Sequence, residues 1–272
     1  MFRTTHAGRG FAGVQPNLAR ALAWIAAAAT LAVASSAPAQ VLPISFQPAA
    51  HSPTLIVVGF VGGFVHENDD RHPEVQMIQR LSGANADDVR AATFENRNRK
   101  EARKEIVRWL DTNGDGQLSD GEKQSARIIL LGHSWGGSAV IRLANELNKR
   151  GIPVLMTIQL DSINKGPGDD CVIPSNVEQA VNFYQTHGLA HGCQALHPVD
   201  ARRTRILGNY RYEYAAQPSG CRSYSWFNRH VLKTHNAMDC DTQVWALVEE
   251  QIRTQMQVAT SAPDAARLPT AR

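Results

Sequence analysis

Ile128-Ile-Leu-Leu-Gly132-His-Ser134-Trp-Gly136-Gly137 decides the fold. Its four leading apolar residues read as a short buried strand. Beyond it, Gly137-Ser-Ala-Val-Ile-Arg-Leu-Ala144 carries a helical pattern. The chain must therefore pass from strand to helix within a few residues. A turn that sharp holds Ser134 in strained backbone geometry, and glycine two positions to either side removes side chains that would collide. The serine hydroxyl is thus presented at the end of a strand.

Working outward, Thr54-Leu-Ile-Val-Val58 reads as a buried parallel strand ending in glycine, and Gly59–Val65 as a flexible turn. A helix follows over Pro73–Leu81, a strand over Val89–Phe94 and a helix over Lys100–Leu110. Past the central stretch come a helix to Arg150, a strand through Val154–Leu160, a helix over Asn176–Tyr184, a strand at Arg205–Leu207 and a closing helix over Thr242–Met256. Residues 164–200 are otherwise irregular and are the only stretch offering a mobile lid. Alternating strands and helices predict an α/β fold, an open and mostly parallel sheet with helices on both faces. One domain over residues 40–258 accounts for the pattern.

Residues 1–39 stand outside that domain. They hold Arg3, Arg9 and Arg20 and no acid, then an apolar run over Ala21–Ala34 and Ala37-Pro-Ala39. That is a secretory signal cut after Ala39, its apolar run too short to span a bilayer. The expected location is periplasmic or secreted, with no membrane span once the signal is removed. The formal charge of +3 leaves with those three arginines. A balanced mature chain gives no electrostatic case for nucleic acid or an anionic membrane. The tail over residues 259–272, rich in alanine and proline, is expected to be disordered. Cys171, Cys193, Cys221 and Cys240 make an even count in an exported chain, which favours two disulfides. Three connectivities remain open; the sequential one closes loops of about 20 residues, each bridge worth ~3 kcal/mol in the chain-entropy model.

Asp111-Thr-Asn-Gly-Asp-Gly-Gln-Leu-Ser-Asp-Gly-Glu122 fills every specified position of an EF-hand-type calcium loop. Asp111, Asn113, Asp115 and Glu122 supply side-chain oxygens, Gln117 a backbone carbonyl and Ser119 a water-mediated contact. Gly116 makes the sharp turn and Leu118 packs inward. An entering helix is plausible, yet Lys123–Ala126 leaves no room for a full exiting helix, and no partner loop is visible. The expectation is structural Ca2+, not a sensor.

The Gly132-His-Ser-Trp-Gly-Gly137 turn between such a strand and helix resembles that of the α/β-hydrolase superfamily, especially its bacterial esterases and lipases. The resemblance implies an α/β-hydrolase fold with the EF-hand-like loop inserted before the nucleophile strand. It also implies a nucleophile, acid and histidine in that chain order. Ser134 is then the nucleophile. Asp161, at the end of the Val154–Leu160 strand where ligand groups gather in open sheets, is the acid. One strand later the chain reads Leu207-Gly-Asn209, an amide, and Glu213 is the fallback. His235, just before the closing helix, is the base, with His230 as competitor. The oxyanion donors are the N–H of Trp135 and that of Phe60, with Val61 next. Trp135, Phe60 and Phe64 are equally readable as pocket wall or core.

The implied activity is hydrolysis of a small-molecule or lipid carboxylic ester, with no organic cofactor. A non-catalytic calcium-binding or interaction protein on the same scaffold is the alternative. It requires Ser134, Asp161 and His235 to lie beyond hydrogen-bond reach of one another.

Overall fold

The computed structural model describes residues 54–84 and 88–261. The signal segment and residues 262–272 of the tail lie outside the described residues. In chain order the elements are β1 (Leu55–Val61), α1 (Pro73–Ala84), β2 (Val89–Glu95), α2 (Arg99–Leu110), α3 (Asp120–Gln124), β3 (Arg127–His133), α4 (Trp135–Asn148) and β4 (Val154–Leu160). There follow β5 (Val172–Ile173), β6 (Val177–Tyr184), β7 (His197–Pro198), β8 (Arg205–Arg211), a 3-10 turn (Ser219–Ser223), α5 (Trp226–His230), α6 (Lys233–Asp239) and α7 (Thr242–Ser261).

Six strands form one sheet in the order β2-β1-β3-β4-β6-β8, and each neighbouring pair is parallel. The sheet sorts its own side chains by period two. Leu55, Val57, Ile129 and Leu131 face α1 and α7, meeting Ile78, Leu81, Trp245 and Val248. Ile56, Val58, Phe60, Ile128 and Leu130 face the opposite way, onto Ala102 and Ile106 of α2 and Leu143 and Leu147 of α4. Truncating one of these fully buried aliphatics to alanine costs about 2–5 kcal/mol. The result is a three-layer sandwich that opens the carboxyl ends of its strands to a common edge.

Three expectations change. Residues 177–184 are a strand, not a helix: Val177, Ala180, Val181 and Tyr184 recur at helical spacing, yet β6 lies between β4 and β8. A strand covered on both faces loses its period-two signature. With β6 inside the sheet, residues 164–200 are not a lid. Second, Gly59, Phe60 and Val61 extend β1 instead of forming a turn. Gly59 serves close packing: a Cβ there would lie 2.2 Å from Ile78 Cδ1 of α1. Third, α7 runs to Ser261, so the first residues assigned to the tail are helical.

The cysteines pair sequentially, Cys171 with Cys193 and Cys221 with Cys240. The second bridge fastens the 3-10 turn to the residue that ends α6. Among the described residues, no helix is long and apolar enough to cross a membrane.

Candidate active site

Ser134 follows β3 directly, with φ 57° and ψ −125°. Two glycines make this possible. A Cβ on Gly132 would lie 2.5 Å from the Gly136 carbonyl carbon, and one on Gly136 would lie 1.9 Å from the Phe60 carbonyl oxygen. Asp161 follows β4, the next strand, and is the other non-glycine residue with positive φ among the described residues, 42°. Two strained residues at adjacent strand ends mark a place where the surrounding structure over-determines the backbone. The Ser134 N–H donates to the Leu160 carbonyl at 3.0 Å, stitching the two strand ends together.

His235 enters from α6 and lies between them. Its Nε2 is 2.8 Å from Ser134 Oγ, and its Nδ1 is 2.7 Å from Asp161 Oδ2. Only one tautomer satisfies both contacts, with Nδ1–H donating to the carboxylate and Nε2 accepting from the hydroxyl. The Asp161 carboxylate is fully buried. Burial alone would raise its pKa, but the His235 contact and bonds from Gln185 Nε2 (2.8 Å) and the Gly192 N–H (2.6 Å) hold it below the ordinary value. Gln185 and Gly192 were not legible as site residues in the sequence.

The other candidates separate cleanly. Trp135 is the first residue of α4, where a backbone N–H has no intrahelical acceptor and the helix dipole is positive. Phe60 is corrected: it lies inside β1, paired with Phe94 and Gly132 and buried in the core, its ring 6.3 Å from that of Phe94. The backbone that approaches Ser134 is that of Gly62, where a Cβ would lie 3.2 Å from the serine Cβ. Glu213 pairs with Arg211 at 2.8 Å on the surface. His230 is exposed, stacks on Trp226 and bonds the Trp226 carbonyl. Asn209 accepts from the Leu196 N–H at 2.9 Å and braces a loop.

Ser134 and His235 open into a cavity of about 470 Å³ whose wall includes Gly62, Gly63, Phe64, Trp135 and Phe227. Phe64 and Trp135 meet edge to face at 5.4 Å, so both belong to the pocket and not to the core. Exposed Phe64 and Phe227 line its solvent-facing side beside the polar Asp69, Arg71 and Asn228. Behind these three residues, His133 packs against His235 with ring centroids 4.6 Å apart and the planes tilted by 32°.

Residues 111–122 fold as a compact loop turned on its own backbone. Asp111 accepts from the N–H groups of Gly114, Asp115 and Gly116, and Gly114 and Gly116 both have positive φ. Glu122 accepts from the N–H and hydroxyl of both Thr112 and Ser119, and these bonds lower its pKa to about 2. Among the described residues, ligand-type side chains converge at two other places, three at His72, Glu74 and Asp239 and four at Asp169, Asp170 and the disulfide-bonded Cys171 and Cys193.

The six-stranded parallel order, the helices on both faces and the strained serine between β3 and α4 define the α/β-hydrolase fold class. No family model matches the chain, and no curated protein matches it. Among solved structures it is similar to a novel cutinase-like protein from Cryptococcus sp., with 11% identity, 75% of this chain and 95% of that chain covered, and a TM-score of 0.38. That likeness is too distant to carry an argument about activity.

Proposed function

We propose that the protein is an exported serine hydrolase that cleaves carboxylic esters with an apolar acyl or alcohol group. One observation carries the reading: Ser134, His235 and Asp161 form an unbroken chain of contacts at 2.8 and 2.7 Å. The non-catalytic alternative needs these groups apart.

In the proposed reaction Ser134 Oγ attacks the ester carbonyl carbon while His235 Nε2 takes the hydroxyl proton. Asp161, held by Gln185 and Gly192, fixes the tautomer and stabilises the imidazolium. The carbonyl π electrons move to oxygen, and the N–H of Trp135 with a backbone N–H of the Gly62–Gly63 segment receives the oxyanion. Collapse expels the alcohol, which takes its proton from His235 Nε2, and leaves an acyl ester on Ser134. Water then repeats the sequence with His235 as base, releasing the acid and restoring the serine. The exposed aromatics at the rim favour an apolar ester.

Export is supported by the two disulfides, which persist in oxidising compartments. The loop over residues 111–122 is proposed to bind Ca2+ structurally. Its donors, from Asp111, Asn113, Asp115, Gln117 and Glu122, are hard oxygens of the kind calcium takes, and most are exposed. Glu122 would exchange its Thr112 and Ser119 donors for the ion.

A fluorophosphonate probe tests the enzyme reading. Wild type is expected to label covalently and Ser134→Ala not at all. A folded wild-type protein that fails to label, or labelling that survives in Ser134→Ala, sinks it.

A further inference from the structure

Beside the triad lies a second cluster to which ester hydrolysis gives no work. His72, at the entry to α1, and Glu74, in its first turn, meet Asp239 at the end of α6. All three are buried, and one ligand atom from each lies within 4.8 Å of the others. Glu74 is wholly buried, and neither of its carboxylate oxygens has a hydrogen-bond partner; Asp239 Oδ1 has none either. The backbone N–H of His133 lies near Glu74 and favours its anion. Two buried carboxylates side by side, three of their four oxygens unpartnered, are expensive unless something positive lies between them.

The remaining contacts are those of a prepared shell. Asp239 Oδ2 accepts from Tyr224 Oη at 2.8 Å and lies 2.9 Å from His72 Nδ1. Tyr224 Oη is itself 3.0 Å from that nitrogen. The other His72 nitrogen, Nε2, has Asp69 Oδ2 at 3.9 Å. That is beyond hydrogen-bond reach, and Asp69 is paired with Arg71; it would fix the ring and its tautomer, as a carboxylate behind a ligating imidazole does, only on closing that gap. His133 Nδ1 stands 3.7 Å from Asp239 Oδ1. One imidazole and two carboxylates suit zinc, whereas calcium and magnesium prefer oxygen ligands throughout. Asp69, His72, Tyr224 and Asp239 line the same cavity as Ser134, which gives an ion a way in.

We propose that His72, Glu74 and Asp239 bind a zinc ion in the cavity wall, with Tyr224 and Asp69 as its supporting shell. Asp239 follows His235 by one helical turn on α6. The ion would therefore pin the helix that delivers His235 to the start of α1. This site rests on its own geometry and does not depend on the hydrolase reading.

The test uses the full mature chain, stripped with chelator and titrated with Zn2+ alone, following heat, metal content and melting temperature. Wild type is expected to take up about one equivalent and melt higher with zinc. Glu74→Gln keeps the shape of the side chain and removes one ligand charge. It is expected to bind at least about tenfold more weakly, the least that metal sites lose with a supporting partner. It is also expected to melt no lower than wild type in chelator, because no hydrogen bond to either Glu74 oxygen is lost. Asp111→Asn, outside the cluster, is expected to bind zinc like wild type. Wild type that takes up no zinc, or Glu74→Gln that binds it as tightly, overturns the proposal. The first of these results would mean that Glu74 and Asp239 share a proton instead.

Discussion

Gln185 donates from the end of β6 to Asp161 Oδ2 at 2.8 Å, the same oxygen that His235 Nδ1 approaches from the other side. The strand beyond the acid thus supplies an amide that locks the acid's orientation. Gln185 is locked in turn: it donates to the Ala190 carbonyl and accepts from the His187 N–H, each at 2.7 Å. If Asp161 sets the histidine tautomer, Asp161→Asn is expected to lower kcat by about 10⁴-fold. Gln185→Met, which removes one bond to a charged group worth about 1.5–3 kcal/mol, is expected to lower kcat at least about tenfold with KM nearly unchanged. Steady-state kinetics on a soluble ester decide. A Gln185→Met effect confined to KM would count against the orienting role.

Asp161 also gives a pH signature. Its folded-state pKa lies below the ordinary carboxylate value despite burial, because His235, Gln185 and Gly192 favour the anion. The unfolded chain takes up the proton first as pH falls. The stability contributed by these bonds is therefore complete above the unfolded value of about 3.9 and is lost below it. Urea midpoints between pH 6 and pH 3 are expected to fall in wild type and to fall less in Asp161→Asn. Parallel curves for the two proteins would refute the assignment.

Ser134 is held at positive φ, where glycine alone is comfortable. Relief of that strain, about 1–3 kcal/mol, outweighs the extra unfolded-state entropy of glycine, about 0.5–1 kcal/mol. Ser134→Gly is thus expected to melt above Ser134→Ala, both being inactive. Calorimetry of the pair isolates the Cβ, and the reverse order would mean the turn is relaxed.

For the calcium loop, adding Ca2+ to chelator-treated protein is expected to raise the melting temperature, and Asp111→Asn to abolish that rise. Millimolar Ca2+ is the relevant range for extracellular modules, about 10⁻⁴–10⁻³ M. An equal rise in both proteins would assign the effect to another part of the chain. Glu122→Gln is expected to lower stability even in chelator, since the Thr112 and Ser119 bonds favour the anion.

The strand–serine–helix unit was legible because three signals coincide there: an apolar run, glycines at fixed offsets and a helical pattern. Asp161 and His235 followed from the chain order that the resemblance implies, Asp161 directly after the apolar Val154–Leu160 run and His235 shortly before the closing helix. Where two signals conflict, sequence reading failed. In β6, Val177, Ala180, Val181 and Tyr184 imitate a helix because burial on both faces erases the alternation of a strand. That error also hid Gln185, which matters only as the residue after a central strand. Phe60 was misplaced because three nearby glycines read as a turn, although Gly59 exists to admit Ile78. The His72, Glu74 and Asp239 cluster was invisible for a different reason. Its members are 167 residues apart in the His72–Asp239 pair, and nothing local announces a buried carboxylate without a donor.

Two of the three triad groups sit on adjacent strand ends of one sheet, stitched by a backbone hydrogen bond, and have little freedom to separate. The third rides on α6, a helix of seven residues. Cys240 closes that helix with a bridge to Cys221, and Asp239 and Asn236 anchor its inner face. Assembly of the site therefore reduces to a single degree of freedom, the seating of α6. In the proposed hydrolase, substitutions or reductants that act on that helix are expected to change turnover before they disturb the sheet.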